Sequence, residues 1–306
     1  MFENFLGTDL GYLPGLRLAG RVPGDWTDEP YSRFSVTPVA PTIGAVVEGV
    51  DLSQAIDDEL YQQLNRALLE WKVLFFRDQD LDADQQMAAA AHWGQIEAHP
   101  FYGAASNFGG PRAEIQTLEK GHATTGNENM WHTDVTWRET PSLGAILRAI
   151  EVPPVGGDTL WADTGAAYEC MAPELKERIE GRTAIHDWIN SFGLAMTEED
   201  RNRLRPDFPP VEHPIVRTHP ETGRKTLFVN RFFTQHIVGL DQDESDHLLD
   251  LLYYQATFPE YQCRWKWRSG DVAFWDNRAT QHYASSDYYP QRRIMERVTI
   301  CGDRPY

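Results

Sequence analysis

At 306 residues the chain is long enough to bury a substantial core, as one large domain or two small ones. Its formal net charge of −18 would repel nucleic acid and anionic membranes alike, so neither is an expected partner, and any inward-facing arginine becomes informative. Three widely spaced cysteines, Cys170, Cys263 and Cys301, suggest neither a disulfide framework nor a thiolate metal site; with no apolar run of membrane-spanning length and no leader-like start, a soluble cytoplasmic protein is expected.

Residues 1–33 are rich in Gly and Pro, with few periodic apolar positions. They read as an irregular N-terminal arm, of a kind able to cover a neighbouring subunit of a homo-oligomer. Residues 34–306 read as a single domain. Short β-branched runs within 34–50, broken by Pro38, Pro41 and Gly44, predict two small strands. Asp57 or Asp58 caps a predicted helix on which Leu60, Leu64, Ala67 and Leu68 recur at helical spacing, and the apolar run 73–76 follows as a buried strand. Asp82 or Asp84 opens a second helix reaching Trp93. His99-Pro100-Phe101-Tyr102 then lies in a loop, ahead of a glycine-rich stretch and a polar one.

Residues 131–137, Trp-His-Thr-Asp-Val-Thr-Trp, carry the central motif. Read as a β-strand, this β-branched and aromatic run sends His132 and Asp134 to the same face. One imidazole and one carboxylate are two of the three ligands of the 2-His-1-carboxylate triad, which leaves half of an Fe(II) coordination sphere open. Alone, the pair also describes a buried structural histidine hydrogen-bonded to a carboxylate. A strand over 143–152, a Gly156-Gly157-Asp158 turn and a short strand from Thr159 to Trp161 come next. Helices fit 166–171 and 173–180. The charged, proline-rich stretch 193–214 shows no period and reads as a lid or insertion. A strand at 226–229, a helix at 243–256 and strands at 262–267, 271–275, 280–283 and 294–300 complete the chain. Many short strands with helices outside predict a mixed α/β, mainly β fold: a double-stranded β-helix, or jelly roll, of the cupin-like kind.

His282 falls on the strand after the Asp276-Asn277 turn, where an ordinary core histidine is also a sufficient reading. On the strand that follows, alternation places Arg293, Met295, Arg297 and Thr299 on one face. If that face lines the barrel, each guanidinium needs an anion, and at about 3.3 Å per residue the two arginines stand roughly 13 Å apart, far enough for two different anions.

Four ordered motifs, His132-x-Asp134, Gly156-Gly157-Asp158-Thr159-Leu160-Trp161, Trp275-Asp276-Asn277-Arg278 through Gln281-His282, and Gln291-Arg292-Arg293-Ile294-Met295 with Arg297, resemble the Fe(II)/2-oxoglutarate dioxygenases of the TauD/TfdA family over about residues 34–306. The resemblance implies that His132, Asp134 and His282 bind iron. It also implies that Thr159 and Arg293 bind the distal carboxylate of 2-oxoglutarate. Three open iron positions suit a chelating 2-oxo acid and dioxygen, and a planar guanidinium suits a carboxylate. Within the family the similarity is nearest the taurine dioxygenases. It puts His99, Arg297 and the Val135 backbone N–H on a sulfonate, with Tyr102, Phe192 and Phe233 on the pocket wall and Glu128 where an ammonium is met. The implied reaction hydroxylates a small anionic substrate, taurine or a related sulfonate, releasing sulfite and an aldehyde. Asn127-Glu128 and Trp137 depart from the taurine pattern, so an alkyl sulfate, an aryloxyacetate or another small carboxylate stays open, as does a non-catalytic cupin-like protein that binds metal and anion.

Overall fold

In the computed structural model, which describes residues 5–9, 17–21, 30–102, 112–122 and 129–306, the arm expected to be irregular carries two short antiparallel strands, Phe5–Asp9 (β1) and Arg17–Arg21 (β2). Ser35–Pro38 (β3) and Ala45–Glu48 (β4) are the two small strands expected next. Asp57 starts α1 (Asp58–Trp71) by accepting from the Leu60 N–H, one of the donors a first turn leaves without a partner. The helix stops at Lys72, which is left-handed at φ 62° and returns its N–H to the Leu68 carbonyl. Its buried ammonium donates to the Thr42 carbonyl at 2.8 Å and pairs with Asp163 at 3.1 Å, so the chain turns directly into β5 (Val73–Phe76).

A capping box opens α2 (Ala83–Ala90): Asp82 accepts from the Gln85 N–H, and the Gln85 side chain accepts from the Asp82 N–H. The chain continues through β6 (Ile96–Glu97), β7 (Ile115–Lys120), β8 (Gly144–Glu151), β9 (Thr159–Asp163), α3 (Thr164–Glu169) and α4 (Pro173–Ile179). Next come β10 (Thr183–His186), α5 (Glu198–Leu204), β11 (Val211–Pro214), β12 (Val216–Thr218), β13 (Lys225–Leu227) and β14 (Thr234–Ile237). Helix α6 (Gln242–Ala256) leads to β15 (Gln262–Trp265), β16 (Val272–Asp276), β17 (Thr280–Ala284) and β18 (Arg293–Ile300).

Strands β3-β4-β5-β16-β8-β18-β6 lie in one sheet, with β7 also paired to β18, and β15-β9-β17 form a second. Period-2 alternation fixes the layers. Val73, Phe75, Ala145, Leu147, Ala273, Trp275 and Met295 pack with Trp161, Cys263 and Trp265 of the second sheet. The intervening Leu74, Phe76, Ile146, Val272, Phe274 and Val298 pack with Leu64, Leu68 and Trp71 of α1 and Ala90 of α2. Two facing sheets with helices outside make the jelly roll that the strand pattern predicts. Gly144 is required where β8 meets β16, because a Cβ there would stand 2.3 Å from the Trp275 carbonyl oxygen. Leu248, Leu249 and Leu252 of α6 pack with Ala184, Leu227 and Ile237, covering the small sheets β11-β10-β14 and β12-β13.

One expectation is corrected. Residues 131–137 are not a strand: His132 makes a single antiparallel bridge to His282, and residues 134–137 form a turn. Asn277 occupies the Asp134 N–H and C=O that a neighbouring strand would otherwise use, and this tertiary clamp overrides β propensity. Residues 193–214, which show no period in the sequence, contain ordered elements. Thr197 caps α5 by accepting from the Asp200 N–H at 3.1 Å, and β11 pairs with β10.

Candidate metal centre

The two imidazoles are brought together by backbone pairing. His132 N–H donates to the His282 carbonyl at 3.0 Å and His282 N–H returns to the His132 carbonyl at 2.7 Å, which sets the two side chains beside each other with ring centroids 4.1 Å apart. Asp134 arrives two residues later on the turn. Its carboxylate oxygens stand 3.7 Å from His132 Nε2 and 3.8 Å from His282 Nε2. One ligand atom from each of the three residues lies within 4.8 Å of the others, and all three side chains are buried.

The donor set fits a divalent transition metal. Two imidazoles and a carboxylate are the facial arrangement that suits Fe(II) and leaves open positions. His132 Nδ1 lies 2.7 Å from the Met130 carbonyl, a contact that needs a proton on Nδ1 and leaves the Nε2 lone pair facing the cluster. Burial lowers the His282 pKa to about 3, with Arg297 and His132 adding to the effect and Asp134 opposing it, so its ring is in the neutral, ligating form near pH 7. For Asp134 burial acts upward, but Arg297 and the two imidazoles outweigh it and hold the carboxyl at about 2. Among the described residues, Asp134 Oδ2 is buried with no hydrogen-bond donor. A buried carboxylate oxygen is costly in that condition, and a cation would satisfy it.

The turn beneath Asp134 is held from three sides. Asn277 accepts from the Asp134 N–H at 2.9 Å and donates to the Asp134 and Ser142 carbonyls at 3.1 and 3.0 Å. Thr136 Oγ1 accepts from Asn230 Nδ2 at 3.0 Å and meets His186 Nδ1 at 2.9 Å, and His213 Nε2 reaches the Arg138 carbonyl at 2.8 Å. Val135 sits between these anchors at φ 46°, a conformation that a β-branched residue keeps only when its surroundings over-determine it, at a cost of about 1–3 kcal/mol. Asn277 shows in the sequence as a turn signal. Thr136, His186, His213 and Asn230 carry no local signal.

Arg293 and Arg297 share the inward face of β18, as alternation predicts. Arg293 is buried and points its Nη2 at Thr159 Oγ1, 3.4 Å away, while the Trp267 indole donates to the same hydroxyl at 2.9 Å. Gly157, at φ 72°, passes so close that a Cβ would lie 3.2 Å from Arg293 Cδ. Arg297 instead reaches the triad, with Nη1 donating to Asp134 Oδ1 at 3.0 Å. It shares a small solvent-open cavity with His99, Glu114, Gln116, Asp134 and Val135.

Phe192 lies 6.4 Å from the His99 ring and 5.6 Å from Phe233, and Phe232 and Phe233 lie 5.3 and 6.2 Å from the His132 ring, so one side of the site is aromatic. His99 Nδ1 accepts from the Phe101 N–H at 3.1 Å, and burial followed by the Arg297 charge lowers its pKa to about 3. It is therefore a neutral Nε2–H donor. Tyr102 is half-buried in the same loop, its N–H on the His99 carbonyl at 2.8 Å. Glu128 lies outside the described residues.

Residues 35–299 match the family described as "Taurine catabolism dioxygenase TauD, TfdA family". An alkylsulfatase of Acinetobacter baylyi is 38% identical over 282 residues, covering 90% of this chain and 87% of that protein. An alpha-ketoglutarate-dependent sulfate ester dioxygenase of Pseudomonas putida is 38% identical over 289 residues, covering 89% and 91%. The crystal structure of a taurine dioxygenase from Burkholderia xenovorans superposes with a TM-score of 0.75 at 36% identity, covering 89% of this chain and 92% of that one. A structure of AAD-2 in complex with Mn(II) and N-oxalylglycine superposes with a TM-score of 0.74 at 30% identity, covering 89% and 98%.

Proposed function

The chain belongs to the TauD/TfdA dioxygenase family, and from that membership we propose that it hydroxylates the carbon bearing a small organic sulfate or sulfonate, with Fe(II) as its cofactor and 2-oxoglutarate and dioxygen as co-substrates. His132, Asp134 and His282 hold the iron. Bound there, Fe(II) supplies the oxygen chemistry that couples decarboxylation of 2-oxoglutarate to C–H oxidation. Everything else is positioning by the chain's own residues. Arg293 and Thr159 take the far carboxylate of 2-oxoglutarate. Arg297, the neutral His99 and the Val135 N–H take the substrate anion, and the strained turn fixes that N–H next to Asp134.

The observation that carries this reading is a second inward guanidinium, Arg297, in contact with Asp134 and lining a cavity beside it, while Phe232 and Phe233 flank the His132 ring of the same triad. A guanidinium beside the triad puts the anion's neighbouring carbon near the oxidising centre, and the rings suit an apolar chain. Hydroxylation at that carbon gives an adduct that collapses to an aldehyde with sulfate, from an ester, or sulfite, from a sulfonate. Taurine itself is a second reading, favoured by Glu114, an exposed carboxylate on the same cavity that suits an ammonium group. A cytoplasmic site of action belongs to the same proposal. Cys170, Cys263 and Cys301 form no disulfide, as in a reducing compartment, and among the described residues no helix is long and apolar enough to cross a membrane.

Purified protein given Fe(II), 2-oxoglutarate and oxygen should form succinate faster with alkyl sulfates or alkanesulfonates of increasing length, releasing sulfate or sulfite in step. Succinate formation that no sulfate or sulfonate stimulates, taurine included, refutes the reading.

A further inference from the structure

We propose that Gln116 is an additional donor to the substrate anion and makes the site prefer the three oxygens of a sulfate or sulfonate to the two of a carboxylate. The inference rests on the reading of Arg297 as the anion's partner. The antiparallel register of β7 and β18 sets Gln116 directly opposite Arg297. Gln116 Oε1 accepts from Arg297 Nη2 at 2.7 Å. A guanidinium offers donors only, so this contact decides which way the carboxamide faces: the oxygen is committed to Arg297 and the NH2 is left for the cavity that Gln116 lines. Among the described residues that NH2 has no acceptor.

The other groups on this cavity explain what the amide would meet. Arg297 Nη1 is taken by Asp134, whereas its Nε is buried and, among the described residues, without an acceptor. His99 is a neutral donor for the reason given above. Glu97, an acceptor that also lines the cavity, is already engaged by the Ser142 hydroxyl at 2.9 Å and by Arg138. Donors therefore reach this cavity from three different elements, β18, the loop after β6, and β7, while Glu114 is an exposed carboxylate on it. A sulfate or sulfonate presents three terminal oxygens around a tetrahedral centre, whereas a carboxylate presents two in one plane. Donors on three elements match the former, and a planar anion leaves one of them unanswered.

The test uses the full chain, loaded with Fe(II), in three forms: wild type, Gln116→Met and Gln116→Glu. For each, kcat/KM is measured with an alkyl sulfate, an alkanesulfonate and a carboxylate of equal chain length, the carboxylate as a competitive inhibitor where it is not turned over. Both variants should lose about tenfold or more on the sulfate and sulfonate relative to the carboxylate, the loss expected for one hydrogen bond to a charged group, with KM for 2-oxoglutarate unchanged. Gln116→Glu keeps an acceptor for Arg297 and lacks the donor. Wild-type sulfate turnover by Gln116→Glu would mean that the residue only steers Arg297, and would overturn the proposal. Losses equal across the three anions, or absent, overturn it too. A wild-type enzyme that processes sulfates while the variants lose equally contradicts this proposal alone, whereas a wild type inert toward all three contradicts it together with the functional reading beneath it.

Discussion

Arg293 and Arg297 are four residues apart on one strand face, yet their surroundings assign them different anions. Arg293 is closed in by Thr159, Gly157 and the Tyr288 ring, a site for a ligand held end-on. Arg297 is tied to Asp134 and Gln116 and open to the cavity. Arg293→Leu should therefore raise KM for 2-oxoglutarate at least tenfold with a smaller effect on the substrate, and Arg297→Leu should do the reverse, since each loses a charge-assisted contact of about 1.5–3 kcal/mol. Initial-rate kinetics with each reactant varied separately distinguish the two. Equal effects of both variants on 2-oxoglutarate would show that the roles are wrongly divided.

At the scale of the element, the turn 134–137 does the positioning, and Asn277 is its keystone. Its carboxamide makes three hydrogen bonds, to the N–H and C=O of Asp134 and to the C=O of Ser142, in place of a neighbouring strand. Asn277→Ala would leave these buried groups without partners. At about 1–3 kcal/mol for each unsatisfied group, softened by relaxation, the metal-free protein should lose roughly 3 kcal/mol in urea unfolding. The variant should also bind a divalent metal more weakly, because the carboxylate is no longer aimed. Unchanged stability and affinity would mean that the turn holds itself. The same element shows where sequence reading reaches its limit. Asp57 is legible because its partner is local, a first-turn N–H, and the 73–76 run because its unbroken apolar side chains mark a buried strand whatever it pairs with. The turn is not, because its partner is 143 residues away and nothing between 131 and 137 marks a clamp. His132, Asp134 and His282 could still be picked out, since metal-ligating residue types survive a wrong secondary structure. Gln116, His186 and Asn230 are polar residues whose importance comes only from what they pack against.

Over the whole molecule, buried neutral histidines couple the fold to pH. His99 and His282 are held at about 3, below the usual 6.5, and burial lowers His186 and His213 as well. A histidine whose folded value is depressed refuses a proton that the unfolded chain accepts. Its contribution to stability is thus full above about pH 7 and is lost as pH falls below 6.5, at roughly 1.4 kcal/mol per pH unit for each such group. Asp134 adds a further loss only below its ordinary value of 3.8. The unfolding temperature of metal-free protein should be nearly flat above pH 7 and should drop steadily between pH 6.5 and 4.5. A flat profile down to pH 4.5 would mean that these rings are not kept neutral.

The bridge from His132 to His282 on β17 and the turn after His132 bring two imidazoles and a carboxylate together, and these three are proposed to hold a single divalent ion. Titration with Mn(II), followed by the electron paramagnetic resonance of the free ion, tests this most directly. Wild-type protein should take up one ion per chain and release it to Fe(II), and His132→Ala and His282→Ala, still folded by circular dichroism, should each lose that site. Retention of the same stoichiometry and affinity in either variant would place the metal elsewhere and contradict the account.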